Sequence, residues 1–293
     1  MGGSTPYDFG ARNLTAYGGL LPVATMLENP GFQQLVEEAV TVKRQTRSMP
    51  MFRFILGMVL ACYVGFSRLN HLRFLKLEPM LTGILRVAQL PPQSTFWRFL
   101  ASLHLGVARQ LLTVQWRMRE RVWAAANVQL HSVTVDTDTT VHTLFGNQMG
   151  ARKGYNSRNK GKKSYQPILS FIAETREYAA GSLRTGDRPD GREIADHLES
   201  VAKGLPTTVK IVYARADSGF YCWQAVEAYE KKGWRFIMVA WWRARPRVLW
   251  TVADGEVEAF AADRRRRPMR VLLSAGGLGQ GLPVSGAALR EGT

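Results

Sequence analysis

The period of the apolar residues changes once along this chain, near residue 127, and that change limits what it can fold into. From Pro30 to about Ala126 they recur at helical spacing, as in GFQQLVEEAV, SRLNHLRFLK and EPMLTGILRVAQL. From Asn127 to Ala240 short alternating or β-branched runs take turns with amphipathic ones. Strands are expected at 128–137, 164–174, 176–186, 208–217 and 234–242, with helices at 191–205 and 221–233. The fold class that follows is α+β or α/β, a helical front followed by a sheet-containing body. Residues 1–30 read as a flexible arm, 31–126 as a helical region, 127–242 as the sheet-containing body, and 243–293 as an atypical Arg/Gly-rich tail.

Charge narrows the partners. Lys and Arg total 39 against 23 Asp and Glu, a net charge of +16. Such a surplus points to a polyanion, most often nucleic acid. Cys62 and Cys222 show no CxxC spacing, and the five histidines show no HxxxH or HExxH, so neither a disulfide framework nor a zinc site is expected. The most apolar run, Phe54 to Phe66, falls short of the ~20 residues that cross a bilayer. No secretory signal pattern opens the chain. A cytoplasmic, reduced protein without a membrane partner is expected.

Two carboxylates stand out in VTVDTDTTVH. Asp136 and Asp138 are two positions apart on an expected strand, so they point to one face. A strand end running into a polar turn accounts for such a pair, and so does a site for a hard divalent cation. Asp217, in RADSGFY, closes a later strand and reads either as a helix N-cap or as a partner of the first pair. Sites in α/β sheets form at the carboxyl ends of strands. If the strands ending at Asp138 and Asp217 are neighbours, their acids meet.

Between these acids lies GARKGYNSRNKGKKSYQP. Arg152, Lys153 and Arg158 with Lys160, Lys162 and Lys163 make six basic residues without an acid, and glycines lend the backbone freedom. The segment reads as a solvated loop or as a phosphate grip, with Tyr155 or Tyr165 available to stack on a base. In the helical front, LPPQSTFWRFLASL gives a Pro turn, a cap at Ser94 or Thr95, and a helix carrying Arg98. It suits a helix-turn-helix reading head or an ordinary helical hairpin.

VDTDTTVHTLFGNQ, KGYN, KSYQPILSF, RTGD and RADSGFY together resemble a DDE transposase of bacterial insertion sequences, and more closely insertion-sequence family 1380. FSRLNHLRFLKLEPML and LPPQSTFWRFL fit the same family's front end, and the resemblance spans about residues 20 to 240. It implies a ribonuclease H-like catalytic core, with Asp138 and Asp217 as catalytic acids and metal ligands. Asp136 stays open as a sharer of the site or as the primary ligand. It further implies two Mg²⁺ (or Mn²⁺) ions, cleavage and strand transfer at insertion-sequence ends, and double-stranded DNA at terminal inverted repeats as partner. A homodimer and a nucleoid-associated place in the bacterial cytoplasm are compatible with it. The third acid of the family, a Glu within a Tyr, Arg, Glu pattern, has no counterpart here. Glu256 and Glu258 come too early, and RRRR at 264–267 precedes a Gly/Ala/Leu tail. A truncated or frameshifted transposase is therefore expected, with an incomplete core and impaired cleavage. The alternatives are a binding-only product that occupies element ends and a ribonuclease H-like nuclease unconnected with transposition.

Overall fold

The computed structural model describes residues 15–42, 49–241 and 269–273, with residues 239–241 and 269–273 described by backbone alone. The chain divides into two compact units, Met1–Asn127 and Val128–Thr293. No helix among the described residues is long and apolar enough to cross a membrane.

The first unit holds six α-helices among its described residues: α1 (Leu20–Glu28), α2 (Phe32–Ala39), α3 (Met51–Tyr63), α4 (Pro79–Leu85), α5 (Gln93–Ala101) and α6 (Leu105–Ala125). A 3-10 turn, Leu69–Leu75, lies between α3 and α4. The apolar run read from the sequence is α3, and it is the centre of the core. Phe54 stacks on Phe99 at 4.8 Å and meets Phe96 edge-on at 5.1 Å. Gly57 admits Leu85, whose Cδ1 would lie 3.3 Å from an added Cβ. Truncating Phe54 would cost about 3–5 kcal/mol, the usual value for an aromatic core residue. The start of α5 differs from expectation. Neither Ser94 nor Thr95 caps it; the helix begins at Gln93 behind Pro92, whose fixed φ already suits a helix entry. The Thr95 hydroxyl instead accepts a hydrogen bond from Arg98, 3.2 Å away.

The second unit is a mixed α/β fold. Its main sheet uses β1 (Ser132–Thr139), β5 (Ile168–Ile172), β6 (Glu177–Ser182), β7 (Ile211–Ala216), β8 (Arg235–Trp241) and β9 (Met269–Leu273), in the order β6-β5-β1-β7-β8-β9. β1, β7 and β8 are mutually parallel, while β5, β6 and β9 join antiparallel to their neighbours. In β1, Val133, Val135 and Thr137 are buried and the residues between them are more exposed, which is the period of two seen in the sequence. Helix α7 (Gly191–Gly204) starts in a full capping box between Asp190 and Glu193, and buries Ile194, His197, Leu198 and Val201 at helical spacing. Helix α8 (Trp223–Lys231) buries Tyr229, which stacks on Phe236 of β8 at 4.9 Å.

The strand expected at 164–174 is two strands. β4 (Lys163–Tyr165) stops before Gln166–Pro167 and β5 begins after it, because proline has no N–H to give a ladder. β4 belongs to a separate small sheet with β2 (His142–Thr143) and β3 (Arg152–Lys153), ordered β2-β4-β3. The basic segment thus contributes β3 and the start of β4 to a small sheet, with residues 154–162 as the loop between them. β9 falls within the stretch read as an atypical tail; residues 242–268 and 274–293, with Glu256, Glu258 and the RRRR run, lie outside the described residues.

Candidate functional site

The parallel pairing of β1 and β7 sets Asp136 opposite Arg215 and Thr137 opposite Ala216. One step further along the same register come Asp138 and Asp217, at the carboxyl ends of adjacent parallel strands. The two acids that lie far apart in sequence are brought together by this register. Asp217 caps the 3-10 turn Ser218–Phe220, its Oδ1 accepting from the Gly219 N–H at 2.8 Å. Burial raises the pKa of its carboxyl above the usual carboxylate value, and the negative charge of Asp138 raises it further. The hydrogen bonds from Gly219 and Phe220 and the charge of Arg188 oppose these effects without cancelling them. Asp138 accepts from the Thr139 N–H at 2.6 Å. Among the described residues no cation forms an ion pair with either carboxylate.

Asp136 is differently placed. Arg215 grips it with two hydrogen bonds, Nε to Oδ1 at 2.5 Å and a terminal nitrogen to Oδ2 at 2.7 Å. Both carboxylate oxygens are engaged and their charge is matched, as in the fork geometry that guanidinium favours.

Two supports hold the paired edge. Behind β1, the Thr137 hydroxyl lies 2.7 Å from the Ser170 hydroxyl of β5, which lies 2.8 Å from His197 Nε2 of α7. His197 Nδ1 reaches Ser182 of β6 at 3.3 Å. Burial depresses the His197 pKa to about 4, so the ring is neutral and bridges hydroxyls through one donor and one acceptor nitrogen. Thr137 sits between the two aspartates, so this chain of bonds fixes the strand that presents them. Beside β7, Arg188 donates to the carbonyls of Gly219 at 3.1 Å, Ser218 at 3.3 Å and Tyr221 at 3.4 Å, holding the turn that Asp217 opens. The loop carrying Arg188 is fixed by buried Arg184, which pairs with Glu193 and donates to the carbonyls of Gln166, Asp187 and Arg188. Sequence reasoning passed over both arginines as site residues, because their partners are mostly backbone carbonyls, up to 33 residues away, which leave no short-range pattern.

The small sheet and its β3–β4 loop carry the basic residues. Lys153, Arg158, Lys160, Lys162 and Lys163 are exposed, while exposed Arg152 is engaged by Asp187 at 3.2 Å. Tyr155 is 74% exposed. Tyr165 is half-buried, its hydroxyl donating to the Met149 carbonyl at 2.5 Å, so its ring is not free. Arg98 lies on the exposed side of α5 in the other unit.

The donor set at the edge is two hard carboxylates. Among the described residues no three His, Cys, Asp or Glu side chains gather as a metal-holding group. A carboxylate pair without an ion pair among the described residues, whose mutual repulsion helps to raise the pKa of Asp217, suits a divalent cation that removes the repulsion.

A family model, transposase DDE domain group 1, matches residues 5–245, and the chain belongs to that family. No curated protein matches the chain. Among solved structures, a Mos1 transposase paired-end complex with the left transposon end aligns at 11% identity and a TM-score of 0.26, over 70% of this chain. The chain spans 64% of the length of that Mos1 protein. A Mos1 mariner paired-end complex with Mn aligns at 10% identity and a TM-score of 0.26, over 76% of this chain and 78% of the other.

Proposed function

With membership of the transposase DDE family as the premise, we propose that this chain is a metal-dependent transposase acting on insertion-sequence DNA, of the family 1380 type. Asp138 and Asp217 hold the metal. The observation that carries this is the pair of carboxylates set side by side at the carboxyl edge of β1 and β7, with no ion pair to a basic residue among the described residues. Asp138 and Asp217 would hold Mg²⁺ or Mn²⁺, two ions in the full site, which when bound would supply Lewis-acid activation for phosphodiester chemistry. The residues of the chain do the rest. The hydroxyl–His197 relay keeps β1 in place, and Arg188 keeps the turn of Asp217 in place. The strand order, with an antiparallel β6-β5-β1 half and a parallel β1-β7-β8 half, supports a ribonuclease H-like core over residues 127–242. Asp136 is left out of the ligand set because Arg215 occupies both of its oxygens.

The partner is double-stranded DNA at terminal inverted repeats. Lys153, Tyr155, Arg158, Lys160, Lys162 and Lys163, with Arg152 at the edge of the grip, meet the backbone near the cut, and Arg98 on α5 belongs to a DNA-reading helical region at 31–126. A homodimer in the bacterial cytoplasm, associated with the nucleoid, suits this work. The family's Tyr, Arg, Glu pattern has no counterpart in residues 218–245, the part of the family match that follows Asp217, and impaired cleavage is the expectation to be tested. A binding-only role at element ends is the second reading, favoured by the lack of a three-membered acidic group among the described residues.

The test is a nicking assay on DNA carrying the element's own ends, taken from the flanks of the gene, with Mg²⁺ or Mn²⁺. Slow metal-dependent nicking that Asp138→Ala or Asp217→Ala abolishes supports the enzyme. Specific binding that survives both changes, with no nicking, supports the binding-only reading. Equal action on random duplex would identify an unrelated nuclease.

A further inference from the structure

Three arginines of the second unit have their charge matched: Arg215 by Asp136, Arg184 by Glu193 and Arg152 by Asp187. Arg188 differs. Among the described residues it forms no ion pair. Its hydrogen bonds there go to the backbone carbonyls of one turn, from Nε to Gly219 at 3.1 Å and from Nη2 to Ser218 at 3.3 Å and Tyr221 at 3.4 Å. Carbonyls orient a guanidinium but leave its charge whole. The group carries its donors in a fixed fork, and these bonds take up the Nε–Nη2 edge. Nη1 has no hydrogen-bond partner among the described residues, and Arg188 stays exposed.

The backbone behind this side chain is fixed too. Arg184 donates to the carbonyls of Asp187 and Arg188. Pro189 follows and confines Arg188 to extended backbone, and Asp190 caps α7. Gly191 meets α8 so closely that an added Cβ would lie 2.5 Å from the Gln224 side chain, which sets the start of α7 against the start of α8. The turn that Asp217 opens lies just before α8. Against the raising effect of burial, the positive charge of Arg188 lowers the pKa of Asp217, so the two groups feel each other without forming an ion pair. An oriented cation thus stands beside the carboxylate pair and is not consumed by it.

We propose that Arg188 is a substrate contact, its Nη1 donating to a non-bridging oxygen of the DNA phosphate received at the Asp138–Asp217 edge. A guanidinium held in place before binding is well suited to phosphate, because its donors are already aimed and no carboxylate competes for them. Lysines meet phosphates as point charges on flexible stems, whereas Arg188 fixes one phosphate at a set offset from the two acids. The inference rests on the DNA-cleaving reading and adds to it the residue that positions the phosphate to be cut. It also goes beyond the clamp on the turn, which uses Nε and Nη2 alone.

The experiment uses the full chain and duplex DNA carrying the element's end, with Ca²⁺ to permit binding while limiting cutting. One phosphate at a time along the terminal nucleotides is replaced by an uncharged methylphosphonate, and anisotropy gives the affinity of the parent and of Arg188→Gln. At one position the replacement should cost the parent about tenfold more than it costs Arg188→Gln, on the order of a hydrogen bond between charged groups. Arg188→Lys keeps the charge without the fork and should retain part of that coupling at the same position. A Mn²⁺ titration without DNA reads the turn separately: Arg188→Gln should bind Mn²⁺ at least as tightly as the parent, because a neighbouring positive charge is gone. Equal losses for the parent and Arg188→Gln at every position, or lost Mn²⁺ binding in Arg188→Gln, overturn the contact in favour of a clamp on the turn, with the transposase reading intact. A parent chain that binds the element's end no better than random duplex and takes up no Mn²⁺ overturns that reading, and the contact with it.

Discussion

One residue pair below its carboxyl edge, the main sheet matches its charges; at the edge it does not. Asp136 and Asp138 share a strand and a face, yet Asp136 meets Arg215 in a two-bond grip while Asp138 meets a second carboxylate. A partly exposed ion pair such as Asp136–Arg215 is ordinary surface chemistry. Two adjacent acids without an ion pair of their own among the described residues repel each other, and the surrounding bonds hold them together nonetheless. The difference teaches where the chain tolerates cost. The relay through Thr137, Ser170 and His197 and the arginine-clamped turn at Asp217 surround the unmatched pair.

The largest effect should come from that relay. His197 in the folded chain has its pKa depressed to about 4, below the ordinary value near 6.5. The neutral ring is favoured by the fold, so its contribution is fully present above pH 6.5 and is lost as pH falls toward 4. The difference corresponds to about 3 kcal/mol. Urea midpoints between pH 7 and pH 4 should fall more steeply for the parent than for His197→Gln; parallel curves would show that the ring does not titrate in the fold.

Removing the basic side of the comparison comes next. Replacing Lys153, Lys160, Lys162 and Lys163 by Ala should lower the slope of log K against log salt by about 3.6, at ~0.9 per phosphate contact. An unchanged slope would detach the small sheet from the DNA.

A smaller effect sharpens the contrast within the sheet. The raised pKa of Asp217 means that its carboxyl favours the fold only when protonated, and this is lost as pH rises through its folded value. Asp217→Asn keeps the acceptor for Gly219 and should raise the urea midpoint of the metal-free protein at pH 7, with the gain vanishing near pH 3. A lower midpoint at pH 7 would mean that the charge is not opposed there. The smallest effect belongs to Asp136→Ala, which should cost less than about 1 kcal/mol, measured in the same way.

Much of this was legible in the sequence. The alternation in β1, the amphipathic run and Gly204 end of α7, and the helical spacing from Pro30 onward follow from local pattern, whereas helix α1, Leu20–Glu28, falls in the stretch read as a flexible arm. The meeting of Asp138 with Asp217 was legible only as a condition, because strand adjacency is a long-range fact. On the residues alone Asp136 and Asp138 point to one face; the resemblance put Asp138 first and left Asp136 open, and the structure adds that Asp136 pairs with Arg215. The small sheet was missed because strands of two or three residues carry no period, although Pro167 marked the break.

The central claim is that Asp138 and Asp217, and not Asp136, hold a divalent cation. The most direct measurement is a Mn²⁺ titration of the full chain followed by the electron paramagnetic resonance of the free ion, repeated for Asp136→Asn, Asp138→Asn and Asp217→Asn. The parent and Asp136→Asn should bind Mn²⁺ alike, and the other two should lose binding. Loss in Asp136→Asn, or equal binding by all four proteins, would contradict the account.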